Sequence, residues 1–130
     1  MSFDIDSGKL ISANDAASMV QAYQTKHGID PHSPNQIYGY SFGLNKLKDL
    51  VTEIDNYNNN LAGREAIIGV RVLKCDNDYD GTKFEDVLIV PITAANKDLY
   101  PIRTDSSITQ HTPNIILDES LPCPNICPTK

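Results

Sequence analysis

The sequence predicts an α+β fold: two helices packed on one face of a mostly antiparallel sheet of three to five strands. Two observations carry that expectation. Apolar residues recur at helical spacing over residues 13–27 and again from Leu44 to about Tyr57. Two short runs rich in β-branched residues, 66–73 and 87–92, flank Asp76-Asn77-Asp78-Tyr79-Asp80-Gly81, which reads as a β-hairpin with an acidic tip.

Taken in order, residues 1–11 are polar with isolated Phe3, Ile5, Leu10 and Ile11, and read as a short edge strand or a loosely attached arm. Ser12 stands where an N-cap belongs, with Asp15 at the third helical position. The first helix would present Ala13, Ala16, Ala17, Val20 and Tyr23, and Gly28 follows as its C-terminal cap. His27, in the last turn, suits the negative end of the helix dipole. Pro31 and Pro34 set a loop. Residues 36–42, with Tyr38, Tyr40 and Phe42 on one face, fit a strand ending at Gly43. The second helix places Leu44, Leu47, Val51 and Ile54 in one stripe with Leu50 beside it, and the asparagine-rich stretch 56–60 ends it.

In the first hairpin run, Ile68, Val70 and Val72 point one way and Ile67, Gly69, Arg71 and Leu73 the other. The second run is apolar on both faces, as a central or doubly covered strand is. Pro91 lacks a donor, which predicts a strand end or an outer edge for it. Residues 93–114 carry few apolar anchors and are expected to form turns or a short strand, with 115–117 as a last strand. Residues 121–130 hold too many prolines for regular structure. The expected organisation is a single α+β domain over 1–117 and a proline- and cysteine-rich tail over 118–130.

The charge balance excludes some classes of partner. A net charge of −6 with no Lys/Arg cluster argues against nucleic acid, which a basic surface must meet. No apolar segment approaches a membrane span, and the start Met1-Ser2-Phe3-Asp4-Ile5-Asp6 lacks the features of a secretory signal. Cytoplasm is the default expectation, with signal-less export as the alternative.

One motif has chemical content. Asp76-x-Asp78-x-Asp80-Gly81 matches the first, third, fifth and sixth positions of a calcium-binding loop, where alternate carboxylates surround the ion and glycine allows the sharp turn. Thr82 would offer its carbonyl oxygen. Val87 occupies the place of the closing bidentate glutamate, so Glu85 or Asp86 would have to complete the shell. The competing reading is a solvated tip made of ordinary turn residues. Cys123 and Cys127 could form a small disulfide loop or supply two zinc ligands, with Cys75 and His111 to complete the set. Reduced thiols in a stiff tail are the simpler alternative. His32 falls in a loop. The sequence has no Gly-x-Ser-x-Gly, no phosphate-binding glycine loop and no His-Glu-x-x-His, so no catalytic residue is nominated.

An amphipathic helix, a Gly69-Val70-Arg71-Val72 strand, an Asp-Gly tip, a second aliphatic strand and a terminal Pro122-Cys123-Pro124-Asn125-Ile126-Cys127 together resemble a group of small uncharacterised bacterial proteins ending in Pro-Cys-Pro-Asn-x-Cys. The resemblance runs from about Ser12 to Cys127 and implies no established reaction. The functional expectation is a small soluble module for interaction or assembly, without enzymatic activity, whose partner is protein, self or other. The alternatives are a Ca2+-binding protein using Asp76, Asp78, Asp80, Thr82 and Glu85, and a thiol or zinc function of the C-terminal cysteines.

Overall fold

The structure is a computed structural model, and it describes residues 3–33, 36–79, 81–94, 116–118 and 120–123. The α+β class holds. Element order is α1 (Ala13–His27), β1 (Gly39–Ser41), α2 (Leu44–Asn59), β2 (Ile67–Tyr79), β3 (Thr82–Thr93) and β4 (Leu121–Cys123). The described strands form two separate antiparallel ladders, β1 with β4 and β2 with β3, and not the one sheet expected. Contacts divide the chain into two units, Met1–Asp6 with Phe42–Glu119, and Ser7–Ser41 with Ser120–Lys130. That partition differs from the boundary at 117/118 drawn from proline and cysteine content.

The first unit is organised by the hairpin. Tyr79 stands opposite Thr82, so the strands are two residues apart in sequence at their ends, and Gly81, the second of the two, has φ of 81°. Positive φ at the second turn residue is what the twist of a tight hairpin demands, and glycine meets it without a Cβ clash. The strands are longer than their apolar runs. Residues 76–79, expected in the tip, lie within β2, because polar residues on alternate positions keep pairing once the turn has set the register.

β3 pairs along its length with β2 and makes a single bridge on its other side. β2 lies on one side, and Ile89 exchanges both backbone hydrogen bonds with Leu117 on the other, at 2.9 Å each. This settles the place of Pro91. Ile89 directs its N–H and C=O away from β2, so by the period of two Pro91 does the same, opposite Val70. Its missing donor therefore removes no bond from the β2 ladder, and proline is accommodated inside the strand.

A register shift between Ile67 and Gly69 breaks the alternation read from sequence. Ile67 stands opposite Thr93, which puts it on the face of Ile89 and not with Gly69 and Arg71. On that face Leu50, Ile67 and Ile89 form a buried cluster, flanked by Phe42, Ile54, Tyr57 and Leu117. Asn58 fixes the approach of α2: its Oδ1 accepts the Ile67 N–H at 2.8 Å and its Nδ2 donates to the Ile67 carbonyl at 2.9 Å. A single side chain thus stands in for a neighbouring strand at that residue. Past the helix end, the Arg64 guanidinium lies 4.2 Å from the Tyr57 ring centroid and donates to the carbonyls of Asn60 and Leu61.

The α2 face the spacing suggested is buried in part: Ile54 packs against the core beside Leu50. Leu50 is 8% exposed, whereas Leu44, Leu47 and Val51 are all exposed. On an ideal helix these three lie roughly 60–120° round from Leu50, so the hairpin covers one side of a broad apolar face. At the other end of the unit, Phe3 lies over Gly69, where an added Cβ would come within 2.5 Å of its ring.

In the second unit, Ser12 Oγ accepts the Asp15 N–H at 3.1 Å, and Gly28 ends α1 at φ 65° with its N–H on the Gln24 and Thr25 carbonyls. Gln36 pins the turn beyond: it donates to the Gly28 carbonyl and accepts the Asp30 N–H. No residue of α1 is buried. The strand expected over 36–42 is confined to Gly39–Ser41, opposite Leu121–Cys123. The prolines of the C-terminal stretch did not prevent a strand: Pro122 stands opposite Tyr40 within β4, and proline is tolerated at edge positions. Residues 95–115 and 124–130, with the turns and strand expected in the former, lie outside the described residues. Leu117, from the expected strand 115–117, is bridged to Ile89.

Candidate functional site at the distal end of the hairpin

Every described residue of the acidic motif lies where β2 and β3 run out beyond the core. Counting outward from Asp80-Gly81 gives the pairs Asp78 with Lys83, Asp76 with Glu85, and Lys74 with Val87 on one face. On the other lie Asn77 with Phe84, and Cys75 with Asp86. Asp76 and Glu85 are thereby cross-strand neighbours, and Asp78 falls one pair further along the same face. Thr82 is on the opposite face, and Asp80 lies outside the described residues.

The motif is drawn out as a ladder. Alternate side chains of a strand sit about 6.5 Å apart, whereas calcium holds its oxygens at roughly 2.3–2.6 Å from the ion. Asp78 Oδ1 is engaged locally, accepting the Gly81 N–H at 2.9 Å, which ties the carboxylate to the turn. Glu85 lies 3.9 Å from Lys74 Nζ, an exposed pair that contributes little to stability. Among the described residues no group of three or more His, Cys, Asp or Glu side chains is gathered in a way that could hold a metal ion.

The opposite face holds a polar cluster that sequence reasoning did not assemble. Asp86 is fully buried. Its Oδ2 accepts from Asn77 Nδ2 at 2.9 Å, and its Oδ1 accepts the Val87 N–H at 2.7 Å. The same Asn77 amide reaches Asp118 Oδ1 at 3.3 Å, so one side chain links the hairpin to the segment that carries Leu117. A buried carboxylate is tolerable only when hydrogen bonded in this way. Cys75, opposite Asp86, has its thiol pKa raised, first by burial and then by the negative charges of Asp86, Asp118 and Asp76. The thiolate is the reactive form, so this thiol is held in its inert state at neutral pH.

The signal that could have found this cluster is the turn itself. Once Asp80-Gly81 is taken as a two-residue loop, Asn77, Cys75 and Asp86 necessarily share a face. Asp118 could not be added by such counting, because its place depends on a distant backbone pairing. Of the cysteines proposed for zinc, Cys75 is a free thiol in β2 and Cys123 ends β4, while Cys127 and His111 lie outside the described residues.

No family model matches this chain, and neither a curated protein nor a solved structure is significantly similar to it. The site is therefore read on its own chemistry. The exposed face of the distal hairpin carries charges of both signs, the opposite face locks its polar groups to one another, and no helix among the described residues is long and apolar enough to cross a membrane.

Proposed function

We propose that this protein is a non-enzymatic interaction or assembly module that engages protein through the hairpin and the α2 surface beside it. The single observation that carries the reading is the length of β2, thirteen residues, paired with β3 alone among the described residues. An open strand edge is a template for another chain. The exposed apolar side chains of Leu44, Leu47 and Val51 on α2, and of Val70 and Val72 on β2, add to the surface such a partner would cover. Sedimentation of the purified chain, with recovery of bound proteins from its native extract, tests the reading. Self-association or a partner lost on Val72→Pro substitution, which blocks strand addition at the β2 edge, is expected; a monomer that recovers nothing defeats it.

A divalent cation is the second reading, and the facing pair Asp76 and Glu85 favours it. Like charges directly opposite across two strands repel, and a cation shared between them would relieve that. Calorimetry with calcium is expected to give heat in the native chain that is lost in Asp76→Ala and weakened in Asp78→Ala. Identical flat titrations remove this reading.

A further inference from the structure

We infer that the partner is a second copy of this chain, which adds antiparallel along the outer edge of β2 about a twofold axis at Cys75. The inference rests on the assembly reading above and gives it an occupant and a register.

The ladder itself says which backbone groups are offered. Ile89 turns both its hydrogen bonds toward Leu117, so its partner Val72 turns its own N–H and C=O outward, and Val70, Lys74 and Asp76 follow by the period of two. The stretch has ends. At Ile67 both backbone groups are taken by Asn58, and the register shift between Ile67 and Gly69 interrupts the regular ladder there. Toward the tip, the Asp78 N–H is accepted by Asn77 Oδ1 at 2.9 Å. What remains is the span from Val70 to Asn77, with no strand beside it among the described residues.

Charge then selects the occupant and the register. An axis at Arg71, Lys74 or Asp76 would set like charges against themselves. An axis at Val72 or Leu73 leaves Lys74 facing a valine. With the axis at Cys75, Lys74 of each copy faces Asp76 of the other, twice, and Leu73 faces Asn77; Val72 meets Asp78 at the margin. The arrangement also brings a cation to Asp76, which within one chain faces only Glu85. The edge is thus complementary to itself in this register.

The test uses the full chain and sedimentation equilibrium, with circular dichroism to show that each variant is folded. The native chain is expected to dimerise, and Lys74→Asp to weaken the dimer by about tenfold or more, since two attractive pairs become repulsive. Lys74→Asp with Asp76→Lys together should restore it, because the swap regenerates both pairs only when 74 faces 76. In a Cys123→Ser, Cys127→Ser background, diamide should take two protons and two electrons from the facing Cys75 thiols and leave a reducible dimer. Opposed residues at a non-hydrogen-bonded pair stand about 4.5 Å apart at Cα, within reach of a disulfide. A dimer untouched by Lys74→Asp overturns the β2 edge while leaving assembly through another surface. Failure of the double swap to restore a dimer that the single change broke overturns the register. A native chain that stays monomeric at high micromolar concentration overturns the inference altogether, and partner recovery alone then decides the broader reading.

Discussion

The two helices of this chain are built on opposite principles. α1 is closed at both ends, by the Ser12 side chain and by left-handed Gly28, yet none of its residues is buried. α2 starts at Gly43 with no side-chain cap, yet it carries Leu50 into the core against Ile67 and Ile89. Capping fixes where a helix begins and stops, whereas burial fixes how much the fold depends on it.

The largest effect expected from this contrast is at the α2 contact. Leu50→Ala should lower unfolding free energy by about 2–4 kcal/mol in urea denaturation, the cost of an unfilled core site. Val51→Ala, one residue on but exposed, should stay within about 0.5 kcal/mol. Equal losses at the two positions would break the comparison. Next comes the polar interior of the same unit. Asp86→Ala takes the acceptor from the Val87 N–H and leaves the Asn77 amide with Asp118 alone, and should cost about 1–3 kcal/mol. Asp15→Ala, in the exposed first turn of α1, should leave the urea midpoint almost unmoved.

Ser12→Ala sharpens the contrast from the other side. It should cost about 1 kcal/mol of helix stability, read as faster amide exchange at Asp15 and its neighbours, with the transition of the Leu50 core unchanged. The smallest effect is at Cys75. Its raised thiol pKa means that folding favours the protonated form. That stability is fully present below the ordinary thiol range and is lost as pH rises through it toward the folded value. Alkylation at neutral pH should accordingly be slower than for an exposed cysteine and should speed up in Asp86→Asn, which removes one of the charges responsible.

Much of this architecture is legible in the residues. Ser12 and Gly28 mark the limits of α1, and Asp80-Gly81 marks the reversal, because each acts through its own backbone and near neighbours. The apolar content of 87–92 likewise matches the burial of Val87, Ile89, Val90 and Ile92 in β3. What escaped was set by distant contacts. Which side of the α2 apolar face is covered depends on where Asn58 anchors the helix to Ile67, and no periodicity within α2 carries that information. The face of Ile67 depends on one unpaired residue in a ladder. The acidic stretch illustrates the same limit: its composition suits a turn, but the two-residue connection determines the register, and the carboxylates follow into the strand. The Asn77, Asp86 and Asp118 cluster was half legible, since the turn alone aligns Asn77 and Cys75 with Asp86.

The bridge between Ile89 and Leu117 has a bearing on how the chain comes together in time. The hairpin closes through a two-residue connection, a short search, whereas Leu117 must return to β3 from far along the chain, at a larger entropic cost of closure. The hairpin should therefore zip early and the Leu117 segment dock last. Leu117→Ala is then expected to accelerate unfolding while leaving the refolding rate nearly as it was.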